Sequence, residues 1–132
     1  MTVLVDTPIW SEFLRRVKPE IRIQDALQRL VEQEEAILIG PVRQEVLAGI
    51  SDQTRYERLR SELRAFPNAG LLSEDYERAA WMFTECRTQG IQGSNTDFLI
   101  CAVSARLNAP IFTLDRGFDR YAAILNVDLY HA

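Results

Sequence analysis

The sequence predicts a three-layer α/β/α fold, with a central parallel sheet of four to five strands between helices. Three observations lead there. Short β-branched runs alternate with segments of helical period along all 132 residues, the order that builds a parallel sheet covered by helices. The first two runs are about 30 residues apart, room enough for a right-handed helical crossover. The composition, 47% hydrophobic and 26% charged, is that of a globular chain and not of a disordered or fibrous one.

The elements follow in order. Val3-Leu4-Val5 is the first strand. Trp10, Phe13, Leu14 and Val17 repeat at i, i+3, i+4, i+7, a helix that Pro19 ends. Ile23, Ala26, Leu27, Leu30 and Val31 give a second helix, and Ala36 to Ile39 the next strand, stopped by Gly40-Pro41. Proline suits a first helical turn, so a third helix opens there with Val42, Val46, Leu47 and Ile50 inward. Asp52 to Phe66 is a fourth, with Tyr56, Leu59, Leu63 and Phe66 on one side. Gly70-Leu71-Leu72 reads as a short strand, and Ser73 as the cap of a helix whose start carries Glu74, Asp75 and Glu77. A helix from about Thr96 to Leu107 leads to the strand Ile111 to Leu114. A short helix near Phe118 to Leu125 and a strand from Val127 to Tyr130 complete a single domain, 1–132.

Several function classes fall away. No apolar run approaches the roughly 20 residues of a membrane span, and the N-terminus has no signal-peptide pattern. Cys86 and Cys101 form no CxxC pair; buried reduced thiols in a cytoplasmic protein are expected. His131 is the sole histidine and stands next to last, which disfavours a Ser–His–Asp or Cys–His site. There is neither a GxGxxG nor a GxxxxGK[ST] loop. The net charge of −4 argues mildly against nucleic acid, yet of the 15 basic residues all but Lys18 are arginine, the better phosphate ligand.

The acids are the informative feature. In a parallel sheet all strand C-termini share one edge, where open α/β sheets bind ligands. Asp6 and Asp115 directly follow strands, Glu45 lies early in the helix leaving the second strand, and Asp97 opens a helix that returns to a strand. All four should reach that edge. Singly, each has a structural explanation: a helix cap for Asp6, dipole complement for Asp97, a turn for Asp115, a solvated surface for Glu45. Together they repel by roughly 3 kcal/mol per pair at about 5 Å and a dielectric of about 20, so the cluster needs a cation or a proton. Oxygen ligands without a His or Cys set suit Mg²⁺ or Mn²⁺, and such a site suits phosphodiester hydrolysis.

With these residues in place, the chain resembles the PIN-domain ribonucleases, and within them the VapC toxins of bacterial type II toxin–antitoxin pairs. The matching stretches are "VLVDTPIW", "PVRQEVLAG", "SNTDFLICAVSARL" and "IFTLDRGFDRYA", in that order over nearly the whole length. The resemblance implies a five-stranded parallel sheet, with "GLL" as the third strand, and a Mg²⁺-dependent endoribonuclease. Carried over, Asp6 and Asp97 would be the main metal ligands, Glu45 a further ligand or water-orienting base, and Asp115 the fourth acid, with Asp119 able to share that place. Thr7 and Thr96 match the hydroxyl residues that flank the family's acids. A homodimer, an RNA substrate and a VapB-like antitoxin are also implied, the antitoxin carrying the link to operator DNA. Apolar helix surface near Trp10, Phe13 and Leu14, or along Tyr56 and Leu59, is a candidate antitoxin contact; Arg43, Arg87, Arg116 and Arg120 are candidate phosphate contacts. A catalytically inactive PIN-fold binding module is the alternative. A Mg²⁺-binding receiver domain fits less well, since Asp6 has no paired acid and Lys18 comes too early.

Overall fold

The structure is a computed structural model, describing residues 1–14 and 20–132. The expectations for Val17 and Pro19 lie outside the described residues. The elements run β1 (Val3–Val5), α1 (Thr7–Leu14), α2 (Ile21–Glu32), β2 (Ala36–Ile37), α3 (Gly40–Leu47), α4 (Gln53–Leu63), α5 (Ser73–Thr88), α6 (Asn95–Leu107), β3 (Ile111–Phe112) and α7 (Gly117–Ile124).

The sheet is parallel with β1 in the centre, order β2-β1-β3. Val3 and Leu4 pair with Ala36 and Ile37; Leu4 and Val5 pair with Ile111 and Phe112. Successive strand side chains point to opposite faces, and Val3, Leu4 and Val5 are all fully buried. Both faces of β1 are therefore covered.

Among the described residues the sheet has three strands, not the four to five expected. The two missing strands are reduced to single parallel bridges, Leu38 with Asn68 and Ile111 with Leu129. At the first, Ala69 N–H donates to Leu38 O at 2.8 Å, and the chain then leaves the edge. Pro67 has no N–H to extend the ladder, and Leu72 is half exposed at the start of α5. Gly70 to Leu72 thus forms no strand. At the second, Ile111 N–H donates to Asp128 O and Tyr130 N–H to Ile111 O. Pairing stops there because β3 itself ends at Phe112, where Thr113 turns its hydroxyl to Asp6.

The helical expectations hold better. Ile23, Ala26, Leu27 and Leu30 are the buried stripe of α2. Asp52 caps α4 through Thr54 N–H at 3.0 Å. The cap of α5 is not Ser73, which is already helical; the Asp75 carboxylate accepts the Leu72 N–H at 2.8 Å. Asp75 also takes a two-pronged bond from Arg106 on α6 at 2.8 and 2.9 Å, tying the two helices together. α6 ends at Asn108, whose φ of 52° is the left-handed conformation asparagine tolerates. Trp10 is fully buried against Phe66, ring centroids 4.7 Å apart, with its indole N–H on Val5 O. Cys86 and Cys101 are buried and unpaired, as expected.

Candidate functional site

Asp6 leaves β1 at the carboxyl edge of the sheet, its N–H bonded to Phe112 O at 2.9 Å. Its side chain is buried. Oδ1 accepts the Thr7 N–H at 2.8 Å, and Oδ2 the Thr113 hydroxyl at 2.7 Å. Burial is the main force on its carboxyl and pushes the pKa up to about 6. The bonds from Thr113 and Thr7 oppose this, and the charges of Asp97 and Glu45 add to it. Like charges nearby disfavour the ionised form, so both charges act in the same direction as burial.

Glu45 is exposed on α3, and Thr7 donates its hydroxyl to Glu45 Oε2 at 2.8 Å. Thr7 therefore serves both neighbours, amide to Asp6 and hydroxyl to Glu45. Asp97 is half-buried in the first turn of α6. Ser94 and Asp97 form a reciprocal cap, with Asp97 N–H on Ser94 Oγ at 3.1 Å and Ser94 N–H on Asp97 Oδ2 at 3.3 Å. Capping thus explains part of Asp97. A second donor, the Tyr121 hydroxyl, also reaches Asp97 Oδ2, at 2.9 Å.

Asp115 is exposed and shapes a turn, its Oδ1 accepting Gly117 N–H at 2.8 Å. Its own N–H donates to Thr113 Oγ1 at 3.0 Å. Thr113 consequently bridges Asp115 to Asp6. Asp119, exposed in the first turn of α7, lines a cleft with Asp115, Arg116, Tyr130 and His131. Thr96 is half-buried at the second residue of α6.

Two participants were not anticipated. Thr113 could have been suspected, being the polar residue in the apolar run before Asp115. Tyr121 leaves no such signal, because its link to Asp97 spans 24 residues. The arginine set also changes. Arg43 is committed to structure, donating to Leu63 O at 2.9 Å, Phe66 O at 2.8 Å and Asn68 Oδ1 at 3.0 Å. Arg87 lies over the Phe83 ring at 5.6 Å, while Arg116 and Arg120 are exposed at the α7 end. Trp10 and Leu59 are fully buried and so belong to the core, not to a partner surface.

The donors are hard oxygens, suited in kind to Mg²⁺ or Mn²⁺. Among the described residues, however, no three His, Cys, Asp or Glu side chains are gathered closely enough to hold one ion. Thr7, Thr113 and Tyr121 brace the carboxylates separately, one hydroxyl to each of Glu45, Asp6 and Asp97.

A parallel sheet with acids along its carboxyl edge defines an α/β protein of the kind that carries its site at the strand ends. The PIN domain pattern matches residues 3–124, and the chain belongs to that family. This sets the receiver-domain reading aside. A comparison with curated proteins finds no match. Among solved structures, FitAcB from Neisseria gonorrhoeae is 19% identical with a TM-score of 0.76, covering 98% of this chain and 97% of that one. VapBC2 from Rickettsia felis, bound to a DNA fragment from its promoter, is 20% identical at a TM-score of 0.78, covering 98% of each chain. A toxin–antitoxin complex from Klebsiella pneumoniae is 18% identical at 0.72, covering 99% and 100%. At these identities the likeness is one of fold.

Proposed function

We propose that this chain is the toxin of a type II toxin–antitoxin pair and acts as a divalent-metal-dependent endoribonuclease, Mg²⁺ being the favoured ion and Mn²⁺ a substitute. The observation that carries the reading is the placement of buried Asp6 at the carboxyl end of β1, joined to Glu45 through Thr7, where burial raises its carboxyl to about 6 and the charges of Asp97 and Glu45 add to the shift. A group so placed is relieved by a cation. Asp6 and Asp97 are the main ligands, Glu45 is a further ligand or the base that orients water, and Asp115 is the fourth acid, with Asp119 beside it. When bound, the ion supplies Lewis acidity toward water and the scissile phosphate. The protein's own part is positional. Thr113 and the Thr7 amide fix the Asp6 carboxylate, the Thr7 hydroxyl steers Glu45, and Thr96 stands next to Asp97. Exposed Glu45 is free to take a proton from an attacking water. Arg116 and Arg120 are the remaining phosphate contacts at this end.

The similar structures include toxin–antitoxin complexes, one of them on promoter DNA. By analogy, the partner is an antitoxin that covers the acidic edge and carries the contact to operator DNA. The chain works as one domain over 1–132, as a homodimer in the cytoplasm. The test is incubation of RNA with and without Mg²⁺, using wild type and Asp97→Asn. Cleavage by the wild type with Mg²⁺, lost in the other three conditions, is the expected result; equal cleavage in all four overturns the mechanism.

The separation of the carboxylates favours one competing reading, a PIN-fold binding module without activity. Metal-loaded, antitoxin-free protein that binds RNA or a protein partner and cuts no RNA would establish it.

A further inference from the structure

Tyr121 is the least expected neighbour of the acidic edge. It is almost wholly buried on α7, packed against Phe98 with ring centroids 5.0 Å apart and against Phe118 at 5.1 Å. An aromatic core residue needs no hydroxyl, yet this one puts its hydroxyl 2.9 Å from Asp97 Oδ2 and 3.3 Å from Gln92 O. The surroundings are cut to admit it. A Cβ at Gly93 would overlap the hydroxyl and come 2.7 Å from Cζ, and a Cβ at Gly117 would stand 3.2 Å from the hydroxyl. The Ser94 amide meets the same Oδ2 at 3.3 Å. Both donors therefore fall on one oxygen of Asp97, and among the described residues Oδ1 takes none.

We propose that Tyr121 is a positioning residue for Asp97: its phenol locks Oδ2 so that Oδ1 is presented to a divalent cation at the acidic edge. This rests on the metal-dependent reading above. A phenylalanine would fill the same space and preserve both ring contacts, so the hydroxyl is the part to be explained. Residues that orient a metal ligand typically contribute about 10- to 100-fold to metal affinity or activity.

The test uses wild type, Tyr121→Phe and Gly93→Ala, the last pushing the Tyr121 ring and its hydroxyl away from Asp97 while both side chains are kept. Mn²⁺ affinity is measured by calorimetry, and RNA cleavage is resolved into kcat and KM. Tyr121→Phe should weaken Mn²⁺ binding about 10-fold and lower kcat with KM for RNA unchanged, and Gly93→Ala should follow it. A urea-unfolding cycle on the metal-free protein with Asp97→Ala should show that the Tyr121 and Asp97 effects are coupled. Wild-type Mn²⁺ affinity in Tyr121→Phe overturns the inference, as do additive effects in the cycle. A wild type that neither binds Mn²⁺ nor cuts RNA overturns the nuclease reading and the positioning role together, whereas an active, metal-binding wild type with an indifferent Tyr121→Phe removes only the latter.

Discussion

Asp6 shows how a single residue can be placed against its own preference. Its pKa of about 6, against an ordinary 3.8, means the folded protein binds the proton more tightly than the unfolded chain does. The sign follows directly. Below about pH 4 the carboxyl is neutral in both states and costs nothing. Between about 4 and 6 the penalty grows, and above about 6 it is complete, at about 3 kcal/mol. Asp6→Asn should therefore stabilise the metal-free protein at pH 7.5, by about 1–3 kcal/mol in urea unfolding, with the gain vanishing near pH 4. The lower end allows for rearranged bonds at Thr113 and Thr7. Loss of stability at pH 7.5 would mean that Asp6 is not a strained carboxylate. The sequence foretold where Asp6 stands, since it follows a β-branched run. It could not foretell Thr113 as its partner, 107 positions away, nor Tyr121 beside Asp97, because hydrogen bonds between distant segments leave no periodic trace.

At the scale of elements, the helices were legible and the sheet edges were not. The buried stripe of α2 appears where the i, i+3, i+4 pattern put it, because a helix face must repeat. The edge segments at Asn68 and Leu129 each make one bridge, and no composition separates one bridge from a short strand. Arginine use was illegible for a related reason: backbone carbonyls have no sequence signature. Arg43 gathers the carbonyls of Leu63 and Phe66 just past α4 and joins them to Asn68 beside the sheet. Hydrogen bonds to a charged group contribute about 1.5–3 kcal/mol each, so Arg43→Ala should cost at least about 2 kcal/mol of stability by thermal or urea unfolding. RNA affinity of the folded variant should stay as in wild type; a selective loss of RNA binding at unchanged stability would return Arg43 to the phosphate contacts.

Across the whole molecule, the acids' convergence follows from one topological fact, that parallel strands end on the same side. That is why four positions scattered from 6 to 115 in sequence were readable together at one edge, while the separation of their side chains was not. Rotamers are chosen by local donors such as Thr7 and Tyr121, and strand order says nothing about them.

The central position of β1 has a further consequence, for motion. Val3 N–H is bonded to Glu35 O, Leu4 N–H to Pro110 O and Asp6 N–H to Phe112 O, so the stem of Asp6 is held from both sides. Opening it means parting the strands on which the core is assembled. In native-state hydrogen exchange the amides of Leu4 and Asp6 should be released only with global unfolding, whereas those of the exposed turn around Asp115 and Arg116 should exchange through local opening. Sub-global exchange at Asp6 would contradict this. With Asp6 exchanging only globally, the edge pairs one acid fixed for as long as the protein stays folded with a more compliant one at Asp115, a division that would let the proposed cation be taken up and released without loosening the fold.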